Sequence, residues 1–307
     1  MITITITPMG QASESDVSAA LHAIIEPGFF ASSVVRLAAE LGGSVAAVAA
    51  LVGVFTVIRG QSFAAEAVGD VGASGGSSAF LIGISPLAGF VGISAAAAAV
   101  MELIGVQRAR GRDLATGIVL GLGFGLTALF LYLGSNDNSA SGATVTILFG
   151  SIFAVPPSDL PLVVGLGALT AVTIATVYRP LMLVSVNPEL AAARGVPARL
   201  VGFVYLLALA VAVALAAVTI GAILSTTLLV GPAASALRLT NRPGRAFAVA
   251  VAIALACTWL GLLLAWDSYY WPPLHHGWPA SFFIVSLVLA SYLLSGAWAR
   301  LRPEARH

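Results

Sequence analysis

Long apolar runs, most of them closed by one or more arginines, recur along this chain of 307 residues. They cover residues 35–58, 62–84, 86–105, 113–133, 159–178, 200–237, 246–266 and 279–299. A helix of about 20 residues crosses a hydrocarbon core of roughly 30 Å, and lipid tolerates only backbone that is hydrogen-bonded within its own segment. The pattern therefore predicts an all-α, polytopic membrane helical bundle of about 8–9 transmembrane segments. The uncharged run 200–237 is 38 residues long. It must leave and return, either as two tight spans or as a long helix followed by a shorter, half-membrane one starting near Thr219, with the turn at Ile220 and Gly221. Residues 147–155, before Pro156 and Pro157, are too short to span and read as a re-entrant or interfacial piece.

All fourteen basic residues are arginine. On this scheme thirteen of them fall on one side of the membrane, Arg36 being the exception. Because basic residues concentrate in cytoplasmic loops, that side is expected to be the cytoplasm, with the N-terminus outside and the C-terminus inside. Residues 1–30 read as an N-terminal tail, in which 17–30 can form an interfacial amphipathic helix interrupted by Pro27 and Gly28. Residues 31–300 read as one transmembrane domain and 301–307 as a cytoplasmic tail. The N-terminus lacks a basic region followed by an apolar core, so no cleaved signal peptide is expected. Cys257, inside an apolar run, reads as a core residue.

Composition narrows the function. A mean hydropathy of +1.01 with 9% charged residues excludes a soluble domain, where about a quarter of residues are charged. The net charge of +1, without a basic stripe, excludes a nucleic-acid partner. No lysine is present, so the chain has no phosphate-binding loop ending in Lys-Ser or Lys-Thr. Any ATP must be hydrolysed by another chain; this one is expected to be no enzyme and to hold no permanent cofactor.

Charged side chains deep in a bilayer are costly and mark function by default. Glu66 and Asp70 lie about 10 and 16 Å past Arg59 at 1.5 Å per residue, and their spacing of four puts them on one helix face. The surrounding run AEAVGDVGASGGSS, with Ser74 among its polar positions, must pack against a neighbouring backbone or line a watery path. Oxygen ligands suit a hard or borderline divalent cation, and a second copy of the chain would bring four carboxylates together. The alternative is that the two acids are held protonated, or hydrogen-bonded to serines, as structural glue. Glu102, near the cytoplasmic edge, can line the path or simply snorkel. His275 and His276, in an outer loop, are either metal contacts in transit or ordinary polar loop residues. In the loop after Arg179, Asn187 can cap a short helix over Pro188 and Glu189 that ends at Gly195, which makes either a docking element or a plain connector.

The segment ELAAARG, Glu189 to Gly195, resembles the loop by which bacterial ABC importer permeases engage their ATPase. More specifically, NPELAAARGV, with LFGSIFAVPPSDL at Leu148 to Leu160 and VTIGAILSTTLLVGPAASALRL at Val218 to Leu239, is similar to the permease subunits of zinc, manganese and iron ABC importers. EAVGDVGASGGSSAFLIG resembles a divergent, chiefly actinobacterial branch associated with surface-anchored repeat proteins. The resemblance implies a homodimeric importer permease in the bacterial plasma membrane that receives a divalent metal ion from an extracytoplasmic binding protein. It also implies a dimer of ABC ATPase subunits docked on Asn187, Pro188, Glu189, Ala191, Ala192, Arg194 and Gly195. Where the family carries an aspartate and, four residues on, a histidine, this chain carries Glu66 and Asp70, a harder and more acidic pair that favours manganese or iron over zinc. Two rivals remain: a permease for haem or a metal chelate, and a secondary transporter or channel in which the paired acids relay protons.

Overall fold

The computed structural model describes residues 32–104, 112–135, 143–150, 152–270 and 277–301. Among them every regular element is helical. Helices α1 (Ser33–Ile58), α2 (Ser62–Leu81), α3 (Pro86–Ile104) and α4 (Arg112–Ser135) are followed by a short α5 (Ala143–Phe149). Then α6 (Leu160–Val186) leads through the one-and-a-half-turn α7 (Pro188–Ala193) into α8 (Ala198–Ile220), α9 (Ala222–Leu239), α10 (Pro243–Asp267) and α11 (Ala280–Leu301).

Eight of these helices, all but α2, α5 and α7, are long and apolar enough to cross a bilayer. Helix α2 has the length, 20 residues, but its glycines, serines and two acids lower its hydropathy. It is embedded nonetheless, because α3, α4, α8 and α9 pack around it. Gly72 and Gly76 lie against Ser94 and Phe90 of α3, and Gly69 against Val213 of α8 and Ser225 of α9. From the other side, Gly123 of α4 rests on the backbone of Asp70 and Val71. Inside a membrane no hydrophobic force draws helices together, so close backbone approach through small residues does the work. That is why this helix reads as glycine, alanine and serine.

Helices α1 and α8 form the centre of the bundle, while α4, α6 and α11 turn large apolar side chains such as Leu122, Leu169 and Leu293 outward. Packing of α1 on α9 is closest at Gly53, whose missing β-carbon would fall on the carbonyl of Leu229. Gly53→Val is therefore expected to push the two helices apart and to cost at least the roughly 1–3 kcal/mol typical of an overpacked core. Thermal unfolding of the purified variant in detergent measures it, and an unchanged melting temperature would mean that α1 and α9 are not in backbone contact.

Of the two alternatives left open for run 200–237, the structure shows two helices, parted at the expected turn by Gly221, at φ 96°; the 18 residues of α9 extend about 27 Å. The other predicted segments are found too, with three differences of detail. Helix α6 continues past Arg179 to Val186 with Pro180 inside it, because a proline removes only one helical hydrogen bond, the one to the carbonyl of Thr176. Helix α2 stops at Leu81, short of residue 84, where Gly83 takes a φ of 73°. The short piece expected to be re-entrant or interfacial is α5 at 143–149, followed by 3-10 turns at Ile152–Ala154 and Pro157–Asp159, not a segment at 147–155. Gly150, at φ 72°, and Gly221 lie backbone against backbone, leaving no space for a side chain on either. The expected tail at 1–30 lies outside the described residues, as does that at 301–307 apart from Leu301, which is the last residue of α11.

Candidate functional site

Asp70 sits eight residues into α2, about 12 Å from its start. Its side chain is 2% exposed. One carboxylate oxygen, Oδ2, is buried without a hydrogen-bond partner, an expensive arrangement in any apolar surrounding. Glu66, one turn earlier on the same face, is half-buried. The neighbouring hydroxyls do not hold the acids: Ser74 donates to the carbonyl of Val71 (2.6 Å) and Ser77 to that of Ala73 (2.9 Å). Ser94 of α3 and Thr127 of α4 likewise donate to main chain, the carbonyls of Val68 and Asp70 (3.4 and 3.3 Å). The hydroxyls of Ser74, Ser77, Ser94 and Thr127 are thus turned to backbone, which leaves Oδ2 of Asp70 without a donor. Among the described residues no group of three or more His, Cys, Asp or Glu side chains could hold a metal within one chain. A site built on Glu66 and Asp70 therefore needs water, main-chain oxygens or a second copy to fill a coordination shell of six or more oxygens, as hard cations prefer.

Glu102 stands apart from this face. It is buried on α3 and lies 3.7 Å from the Nε of Arg199, at the start of α8. Nearby, Arg59, the residue that closes α1, donates to Gln61 (3.2 Å) and to Ser185 of α6 (3.3 Å) and stacks over the ring of Tyr205, 4.9 Å from its centroid. Tyr205 is fully buried and shares a 2.8 Å hydrogen bond with Thr56. These contacts tie the arginine-side ends of α1, α3, α6 and α8 together. Ser94, Gly123, Thr127 and the Arg59–Tyr205 pair were not candidates from sequence; of these only the glycine-rich GLGFG of α4 carried a signal, that of close helix approach.

Helix α7 is built as its sequence predicts. Asn187 accepts the amide of Leu190 on its side-chain oxygen (2.9 Å), Pro188 opens the helix, and Gly195 closes it at φ 72°. The amides of Gly195 and Val196 reach back to the carbonyls of Ala192 and Ala191, both at 3.0 Å, which satisfies the last turn. Ala191 is buried against the bundle, whereas Glu189, Leu190, Ala192 and Arg194 are exposed. A capped, rigid helix with one acid, one base and one leucine outward is a surface that a partner can grip. His275 and His276 lie outside the described residues.

Residues 32–295 match the ABC 3 transport family. The manganese transport system membrane protein MntC of Halalkalibacterium halodurans is 29% identical over 62% of this chain and 65% of its own length. The manganese import system permease protein ScaB of Streptococcus parasanguinis is 26% identical over 72% of this chain and 77% of its own length. Among solved structures, PsaBC from Streptococcus pneumoniae in complex with Fab superposes with a TM-score of 0.74 at 24% identity, over 87% of this chain and 92% of that one. The fold is thus shared well beyond the sequence similarity. The chain is a multi-pass membrane protein, and it belongs to the ABC 3 transport family.

Proposed function

We propose that this chain is the membrane-spanning permease subunit of an ATP-driven importer of a divalent metal cation, manganese foremost. The observation that carries this reading is the unpartnered carboxylate oxygen of Asp70, buried in the bundle one turn from Glu66, in a helix whose Ser74, Ser77 and Ser78 hydroxyls are engaged by main chain. Such an acid is maintained in an apolar bundle when a cation passes beside it. Two carboxylates without imidazole or thiolate make a hard donor set that favours manganese or iron over zinc, in keeping with the manganese systems to which the sequence is similar.

In this reading two copies of the chain bring Glu66 and Asp70 together across a shared path. A dimer of ABC ATPase subunits grips α7, and an extracytoplasmic binding protein delivers the ion. The arginine-bearing ends face the cytoplasm. ATP-driven closure of the ATPase pair rocks α7, and through α6 and α8 it changes which end of the path is open. Binding at the carboxylates must stay weak enough for release. Co-purification with an ABC ATPase, and ATP-dependent manganese uptake into proteoliposomes holding both with the binding protein, test the reading. Uptake without ATP, or with a pH gradient alone, would replace it with secondary transport.

A further inference from the structure

Helices α6 and α10 both pack on α1 at the arginine-bearing side of the bundle, and between the three runs a cleft of about 560 Å³, a size usual for ligand sites of about 300–1,000 Å³. It is graded along its length. Arg179 and Gly244 stand at the mouth, Tyr178 and Phe247 form the next level, and Leu51, Ile174 and Ala171 lie deeper. The aromatic level is rigid: Phe55, Tyr178 and Phe247 pack edge to face or tilted, with centroids 5.1–5.8 Å apart. Arg179 follows Leu160, the first residue of α6, by nineteen positions, about 28 Å of helix, which puts its guanidinium at headgroup depth if α6 enters the opposite face near its start.

The charge at this mouth is uncompensated. Arg179 has no hydrogen-bond or ion-pair partner among the described residues, and the first turns of α10 add Arg245 after Gly244. Helix α6 carries no acid, the only acid of α10 is Asp267 at its far end, and that of α1 is Glu40 in its other half. Pro180 also leaves the carbonyl of Thr176, a residue lining the cleft, without its helical donor. Both α6 and α10 are peripheral helices whose outer faces carry exposed Leu169, Val172 and Leu260, so the cleft opens where acyl chains are the solvent.

We infer that this cleft is a binding site for an anionic phospholipid of the arginine-side leaflet. The phosphate sits at Arg179, the glycerol backbone with its acyl esters at the aromatic level, and one acyl chain lies along Leu51, Ile174 and Ala171. Basic pockets between membrane helices select anionic headgroups, and an aromatic level between charge and hydrocarbon is what the interface prefers. The site is remote from α2 and does not depend on the importer reading.

Native mass spectrometry of the detergent-solubilised chain with added phosphatidylglycerol or phosphatidylcholine tests it. The anionic lipid is expected to be retained over the zwitterionic one, and Arg179→Gln to lower that preference about fivefold, the weight of one arginine near an anionic surface. Arg36→Gln, at the opposite end, is expected to leave it unchanged. On the unaltered chain, phosphatidylglycerol bearing a diazirine in its acyl chain should label α6 between Ala171 and Arg179. Equal retention of both lipids, labelling confined to other helices, displacement by inorganic phosphate alone, or loss of labelling once a second protein copy covers the cleft would each overturn the assignment.

Discussion

Asp70→Asn is expected to reduce cation accumulation to background while leaving the protein at least as stable as before. The two effects come from the same atoms. Asparagine fills the same volume but replaces a charged acceptor by a neutral amide, so Glu66 alone is left to compensate a divalent ion on this face. Loss of even an outer-shell partner costs roughly 10–100-fold in metal affinity, and loss of a direct charged oxygen should exceed that. Stability should not fall, because Oδ2 makes no hydrogen bond that the substitution could break and a buried charge is removed. Glu66→Gln should act in the same direction. Ser74→Ala should do little, since its hydroxyl is engaged by the carbonyl of Val71. Uptake into proteoliposomes, measured beside thermal unfolding, checks all three. Wild-type uptake in Asp70→Asn would dismiss the path, and a lowered melting point with normal uptake would return the acids to a structural role.

The second large effect is expected at the opposite end of the functional chain. Glu189→Arg should strip the ATPase from the permease without unfolding α7, because Glu189 is exposed and takes no part in either helix cap. Reversing an interfacial charge sets like charges against each other at a cost of several kcal/mol, enough to lose a complex in pull-down. Asn187→Ala makes the informative contrast. It removes the cap worth about 1 kcal/mol and should loosen α7, weakening ATPase stimulation while keeping the surface charge. If Glu189→Arg still binds and couples normally, α7 is a connector and the ATPase docks elsewhere.

The membrane architecture was legible because the bilayer imposes its rule residue by residue. An uncharged run closed by arginine can only be a helix with an end, so α1, α3 and α8 to α11 were readable almost to their bounds, and Gly221 was readable as the corner between α8 and α9. Arg179 misled for a physical reason: an arginine at headgroup depth need not end a helix, and Pro180 interrupts one hydrogen bond rather than the whole turn. Glu66 and Asp70 could be placed on one face by spacing alone. What surrounds them could not. The donation of Thr127 to the Asp70 carbonyl, the approach of Gly123, and the stacking of Arg59 on Tyr205 join residues 57, 53 and 146 positions apart, and no local pattern encodes such pairings. Glu102 shows the same limit. Sequence left it between path and surface, and only the fold brings Arg199 to it.

The enclosure of α2 has a bearing on how the protein is made. A segment of glycines, serines and two acids offers a translocon little reason to release it sideways into lipid, since each acid at a helix centre opposes insertion by roughly 2.5–3.5 kcal/mol. Its neighbours must supply that reason. With only Arg59, Gly60 and Gln61 between them, α1 and α2 are short-coupled enough to enter as a hairpin, and α3, laid along the glycine face of α2, is synthesised next. Biogenesis of this bundle is thus expected to be a cooperative event of three helices, in which the polar α2 is the passenger of the more apolar α1 and α3.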